Sequence, residues 1–185
     1  MKHGASRLLL WAAVALASAG VAPQVEPLDD TLAGTGDALA TGVVAGAALF
    51  AALARRRFPL AALTRAPRGR LAARSVILAV KSAQEEALWR GVVLGHLAVV
   101  LGRAGALAAS AALFAAAHVR RQRAGAVVHL ATGSAFGAVY LATGRLVAAV
   151  AAHGSYNLLV GAATLAERNM SIADTGGQRD RLLAS

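Results

Sequence analysis

Six apolar stretches divide this chain, at residues 8–22, 38–54, 75–101, 105–119, 124–142 and 146–166, and arginines gather in the segments between them. A helix needs roughly 17–25 apolar residues to cross a bilayer, and several of these stretches sit at the short end of that range. None shows the alternation and turn signals of membrane strands. Backbone polar groups in lipid must be satisfied within the segment, which leaves helices as the form open to these stretches. The expected fold is therefore all-α: a polytopic transmembrane helical bundle of about six spans. Composition agrees, with 57% of the 185 residues hydrophobic and 15% charged, less charge than a water-soluble domain carries. Abundant Ala and Gly would let helix backbones approach closely in lipid.

A net charge of +10 would suggest nucleic acid in a soluble protein. Here the positive residues lie in loops, and no basic run carries interleaved aromatics for stacking on bases. No nucleic acid is expected as a partner; membrane lipid is. With the amino terminus inside, fifteen Lys and Arg fall in cytoplasmic segments: Lys2, Arg7, seven within residues 55–74, Arg120, Arg121, Arg123, Arg168, Arg179 and Arg181. Arg103 and Arg145 fall outside, and Lys81 and Arg90 lie within a helix. The positive-inside rule then puts both termini in the cytoplasm, with a bacterial-type plasma membrane as the expected compartment. Four of the nine acids, Glu26, Asp29, Asp30 and Asp37, occupy the first external loop.

Residues 1–37 read as a first transmembrane helix and external loop, with cleavage of a signal peptide after Ala19 as the alternative. Residues 38–74 read as a second helix and a basic loop, 75–166 as the remaining spans, and 167–185 as a solvated cytoplasmic tail. The chain contains no cysteine, so it has neither disulfides nor thiolate chemistry.

Polar groups inside spans cost about 2.5–3.5 kcal/mol each at mid-helix, which makes each a candidate for function. Three stretches carry them in motifs of four-residue spacing: Glu85-Glu86-x-x-x-Arg90, Phe114-x-x-x-His118, in which only His118 is polar, and His153-x-x-x-Asn157. Glu86 and Arg90 share a helix face and can pair, while Glu85, rotated by ~100°, is free to point towards the bundle interior. At ~1.5 Å per residue Glu85 lies roughly 14 Å from the cytoplasmic side. With alternating helix directions, His118, His153 and Asn157 can reach the same cytoplasmic half. Lys81, one turn before Glu85, can pair with it while its ammonium reaches for the interface.

In that order and on separate helices, these motifs resemble those of the CAAX protease and bacteriocin-processing enzyme family. The stretch "GSAFGAVYLATGRLVAAVAAHGSYN" adds Gly133, Phe136, Gly137, Tyr140, Thr143, Gly144 and Leu146 at positions where that family carries such residues. The resemblance covers residues 75–165 and makes 75–166 the expected catalytic domain. It implies an intramembrane endopeptidase acting on a peptide or membrane-protein substrate. In that reading Glu85 is the general base for a water that His118 holds, and His153 and Asn157 donate to the oxyanion. Glu86 and Arg90 support the site as an ion pair, and Phe114 steadies His118. A carboxylate withdrawn from bulk water is a stronger base, and oxyanion donors in a dry cavity are worth ~3–4 kcal/mol of barrier.

The resemblance also allows a zinc enzyme with Glu85, His118 and His153 as ligands, a legitimate catalytic set with water in the fourth position. No cofactor is the favoured expectation, because Asn157 suits an oxyanion and is a poor zinc ligand. Other classes remain open at this point: a non-enzymatic immunity or scaffold protein, and a small transporter or proton relay. Discontinuous inverted-repeat helices, which would favour transport, are not evident. His96 and His129 match no motif and read as structural.

Overall fold

A computed structural model of the chain describes residues 32–54, 68–122 and 125–183. These form α1 (Leu32–Ala54), α2 (Arg68–Glu86), a π-helical segment (Ala87–Leu94), α3 (Gly95–Gln122), α4 (Ala126–Thr143) and α5 (Leu146–Leu183). Four helical stretches are long and apolar enough to cross a membrane: Gly34–Leu53, Ser75–Val119, Ala126–Thr143 and Leu146–Leu165. The all-α polytopic expectation holds; four such stretches are counted among the described residues, against six expected over the whole chain. The stretch at 8–22, with its signal-peptide alternative, lies outside the described residues. The stretches at 75–101 and 105–119 join into one run of 45 residues.

A straight helix of that length would measure about 68 Å, more than twice the ~30 Å hydrocarbon core. The run is instead broken at Gly102, where φ is 68° and ψ 171°, a conformation open to glycine and costly for residues with a side chain. Beyond the break the chain returns beside itself. The Ser110 hydroxyl donates to the Trp89 carbonyl at 3.2 Å, and the Trp89 and Phe114 rings meet edge to face at 5.6 Å. Two further features were not expected. Residues 87–94 widen into π-helix immediately after Glu86, a distortion frequent at functional sites. And α5 continues as helix to Leu183, through the region read as a solvated tail.

The longest contacts run along α5, which packs against α1, α2 and α4, while α3 packs along α4. Its inner face is built of Ala148, Ala149 and Ala152, all fully buried. On α1, Gly42 faces Ala148 and Gly46 faces Ala152 and Ser155, so the two helices run parallel. The backbones lie so close that a methyl on Gly46 would overlap the Ala152 carbonyl oxygen and the Ser155 hydroxyl. Small residues permit such contact, and dispersion between the backbones holds helices together where lipid removes the hydrophobic drive. Outward-facing Val76, Ile77, Val80, Val99 and Val100 are exposed, a surface suited to lipid rather than water.

Candidate active site

The charged core of the site grows from the end of α2 and the π-helical segment. Glu86 and Arg90 are 0% and 1% exposed, and an isolated charge at that depth would cost several kcal/mol. Arg90 Nε lies 3.0 Å from Glu86 Oε2, an ionic contact whose alignment falls short of a hydrogen bond. The other end of the guanidinium is better placed, with Nη2 donating to the Gly133 carbonyl at 2.7 Å. The guanidinium also lies 5.4 Å from the centroid of Phe114 and 5.9 Å from that of Phe136. Both distances are in cation–π range, which supports a cation withdrawn from water.

Glu86 has a second partner that spacing did not reveal. Its Oε1 accepts from His153 Nδ1 at 2.7 Å, a short, charge-assisted contact. His153, 5% exposed, is also stacked on Phe136, with centroids 4.7 Å apart and planes 20° from parallel. Its ring is therefore fixed in position and in the identity of the nitrogen facing Glu86. The other nitrogen, Nε2, faces Glu85 Oε2 at 3.7 Å. That separation is too long for a direct hydrogen bond.

Glu85 itself is 16% exposed, and Lys81 Nζ lies 3.6 Å from its Oε1. The lysine side chain is 60% exposed, so this pair is solvent-screened and weak. Arg90, Glu86, His153, Glu85 and Lys81 thus make a chain of neighbouring charged and titratable groups running outward from the core.

Asn157 sits one turn beyond His153, and its Nδ2 donates to the Ser82 hydroxyl at 3.4 Å. Ser82 is fully buried on α2, one turn before Glu86. Two i,i+4 pairs on antiparallel helices therefore interlock: Glu86 meets His153 while Ser82 meets Asn157. His118, near the end of α3, donates from Nδ1 to the Phe114 carbonyl at 2.8 Å, which leaves Nε2 with the free lone pair. Phe114 tilts against the His118 ring at 4.7 Å and against His153 at 6.3 Å, joining His118 to the rest of the cluster. Glu85, Glu86, Arg90, His153 and Asn157 are brought together directly, and His118 through Phe114. Among the described residues no three His, Asp or Glu side chains converge as a metal-binding group.

Ser82 is not among the residues expected at the site, nor is the Gly133 carbonyl. Ser82 left a usable signal, since Ser82-x-x-x-Glu86 repeats the spacing of His153-x-x-x-Asn157. His129, read as structural, lies in the first turn of α4 and stacks on His118 with centroids 4.0 Å apart and planes 21° from parallel. Its position follows from the return of the chain after α3, which no local pattern encodes. His96 belongs elsewhere: its ring is exposed and bonds only to its own helix, at Val92.

Helices long and apolar enough to cross a membrane, with acids, imidazoles and an amide gathered among them, define a polytopic membrane protein with a polar site inside its helical bundle. Residues 67–159 match the family model described as type II CAAX prenyl endopeptidase Rce1-like, and the chain belongs to that family. The match contains every residue of the three motifs and supports protease activity on a peptide or protein in a membrane. No curated protein and no solved structure matches the chain.

Proposed function

We propose that the protein is a glutamate-type intramembrane endopeptidase. Glu85 takes a proton from a water that His118 holds at Nε2, and the hydroxyl oxygen attacks the scissile carbonyl. The oxyanion that forms accepts hydrogen bonds from His153 and Asn157. Collapse of the tetrahedral intermediate expels the amine, to which Glu85 returns the proton. Because Nδ1–H of His153 is engaged by Glu86, donation from Nε2 requires this ring to carry both protons in the transition state. Glu86 and Arg90 thus position the oxyanion donor without touching the substrate.

The observation that carries this reading is Glu85 facing His153 at 3.7 Å, with their side chains 16% and 6% exposed. A substrate segment would enter from the cytoplasmic half of a plasma membrane, with both termini of the chain on that side. Prenylated carboxy-terminal tails fit the family description, and short membrane-active peptides or membrane-protein fragments suit the same chemistry.

The test is cleavage of a peptide library by purified protein in proteoliposomes, with wild type compared with Glu85→Gln. Wild-type cleavage that the substitution abolishes, by ~10²–10⁴-fold, is the expected outcome. Equal rates for both proteins, or no cleavage by either, would defeat the proposal. A chelator arm separates the metal-free enzyme, which keeps its rate, from a zinc enzyme that loses it.

A further inference from the structure

The His118 ring is held in its plane from one side by something the proposed chemistry does not use. One hydrogen bond, from Nδ1 to the Phe114 carbonyl, fixes the tautomer but leaves the ring able to pivot about that bond. The tilted Phe114 ring, 54° from the imidazole plane, offers an edge rather than a platform. His129 supplies the platform, 4.0 Å away and nearly parallel. Phe114 then closes the cluster by meeting His129 edge to face at 5.6 Å, with planes 75° apart. The three rings come from two helices, α3 and α4, and lock one another.

We propose that His129 is a positioning residue for His118, acting as a flat platform that aims His118 Nε2 at the reacting water. This rests on the reading of His118 as the residue that holds that water. The platform is needed because a water positioned by a single side chain moves with it. Misplacement of a reacting group by about 1 Å can cost ~10²-fold in rate. Glu85, His153 and Lys81 all lie within electrostatic reach of His129, so the imidazole is part of the site's surroundings and not a remote packing residue. The role asked of it is shape: a planar ring at this position is sufficient, and its proton is not used.

The experiment compares wild type, His129→Ala and His129→Phe, each purified in detergent with ring-¹⁵N-labelled histidine, using His118→Gln to assign the His118 signals. Long-range ¹H–¹⁵N spectra should show a single His118 tautomer, protonated at Nδ1, in wild type and in His129→Phe. In His129→Ala the His118 signals should broaden or average. With the cleavage assay above, His129→Ala should lower kcat about ten- to hundredfold at nearly unchanged KM, and His129→Phe should restore most of it. Unchanged His118 signals and kcat in His129→Ala would overturn the proposal. So would a folded His129→Phe protein as impaired as the alanine variant, since that result assigns the imidazole's proton a role. The spectra need no substrate, so they test the platform even if no peptide is cut and the protease reading fails.

Discussion

Nδ1 of His153 lies 2.7 Å from Oε1 of Glu86, and this contact joins two helices whose motifs are 67 residues apart in the chain. Glu86 is thereby shared between an arginine on its own helix run and an imidazole on α5. The same carboxylate neutralises a buried cation and orients a ring that faces Glu85. Support and chemistry meet in one side chain.

Removing either member of the buried pair should therefore damage the fold as well as the activity. Arg90→Ala leaves Glu86 buried without its cation, and breaking a buried pair typically costs ~3–5 kcal/mol. Glu86→Gln leaves Arg90 in the same condition. Thermal unfolding in detergent should show a large drop for each single variant, and the double variant Glu86→Gln/Arg90→Ala should lose less than the sum of the two. Additive losses would mean that the two side chains are energetically independent.

Asn157→Ala should lower kcat by ~10²-fold, the usual effect of deleting one oxyanion donor, with KM changing much less. Ser82→Ala removes only the group that Asn157 leans on at 3.4 Å. Its effect should be smaller, a few-fold in kcat, consistent with a net ~0.5–1.5 kcal/mol for one neutral hydrogen bond. Steady-state kinetics of both variants check the order. A Ser82→Ala defect larger than that of Asn157→Ala would reverse the assigned roles.

Lys81 pairs with Glu85 at the exposed end of the charged chain. Its side chain is 60% exposed and 3.6 Å away, so Lys81→Met should leave the melting temperature almost unchanged, since exposed pairs contribute ~0–1 kcal/mol. The rate of cleavage should rise by up to about fivefold, the equivalent of ~1 kcal/mol of lost attraction. Added salt should raise the wild-type rate and leave the variant's rate flat. A fall in the rate of Lys81→Met would show that the ammonium assists the reaction.

The packing of α1 on α5 makes a sharper prediction at two glycines of the same helix. Gly36 has open space where a side chain would stand, and Gly46 has the Ala152 carbonyl there. Gly36→Ala should leave thermal stability unchanged or slightly raise it, because alanine is the better helix former by ~1 kcal/mol. Gly46→Ala should lower it by ~1–3 kcal/mol through overpacking. Equal melting temperatures for the two variants would mean that α1 does not seat on α5 as described.

Local chemistry was enough to establish the class of fold. Runs of apolar residues without strand alternation allow only helices in lipid, and polar pairs four residues apart announce themselves because each is costly there. Glu85, Glu86, Arg90, His118, His153 and Asn157 could all be picked out for this reason, and Phe114 by its place one turn before His118. So could the contact between Glu86 and Arg90, which is local to one helix run.

What stayed hidden depends on how helices distant in sequence come to lie together. The reversal falls between the spans expected at 75–101 and 105–119, but the positive φ of Gly102 on which it turns is a single backbone angle without a pattern of its own. The π-helical turn after Glu86 has no compositional mark. Sequence spacing paired Glu86 with Arg90 but could not say that His153 completes the trio, because that depends on the register of α2 against α5. His129 reached the site only through the packing of α4 on α3. Periodicity reports which face a residue occupies; tertiary packing alone determines what that face meets.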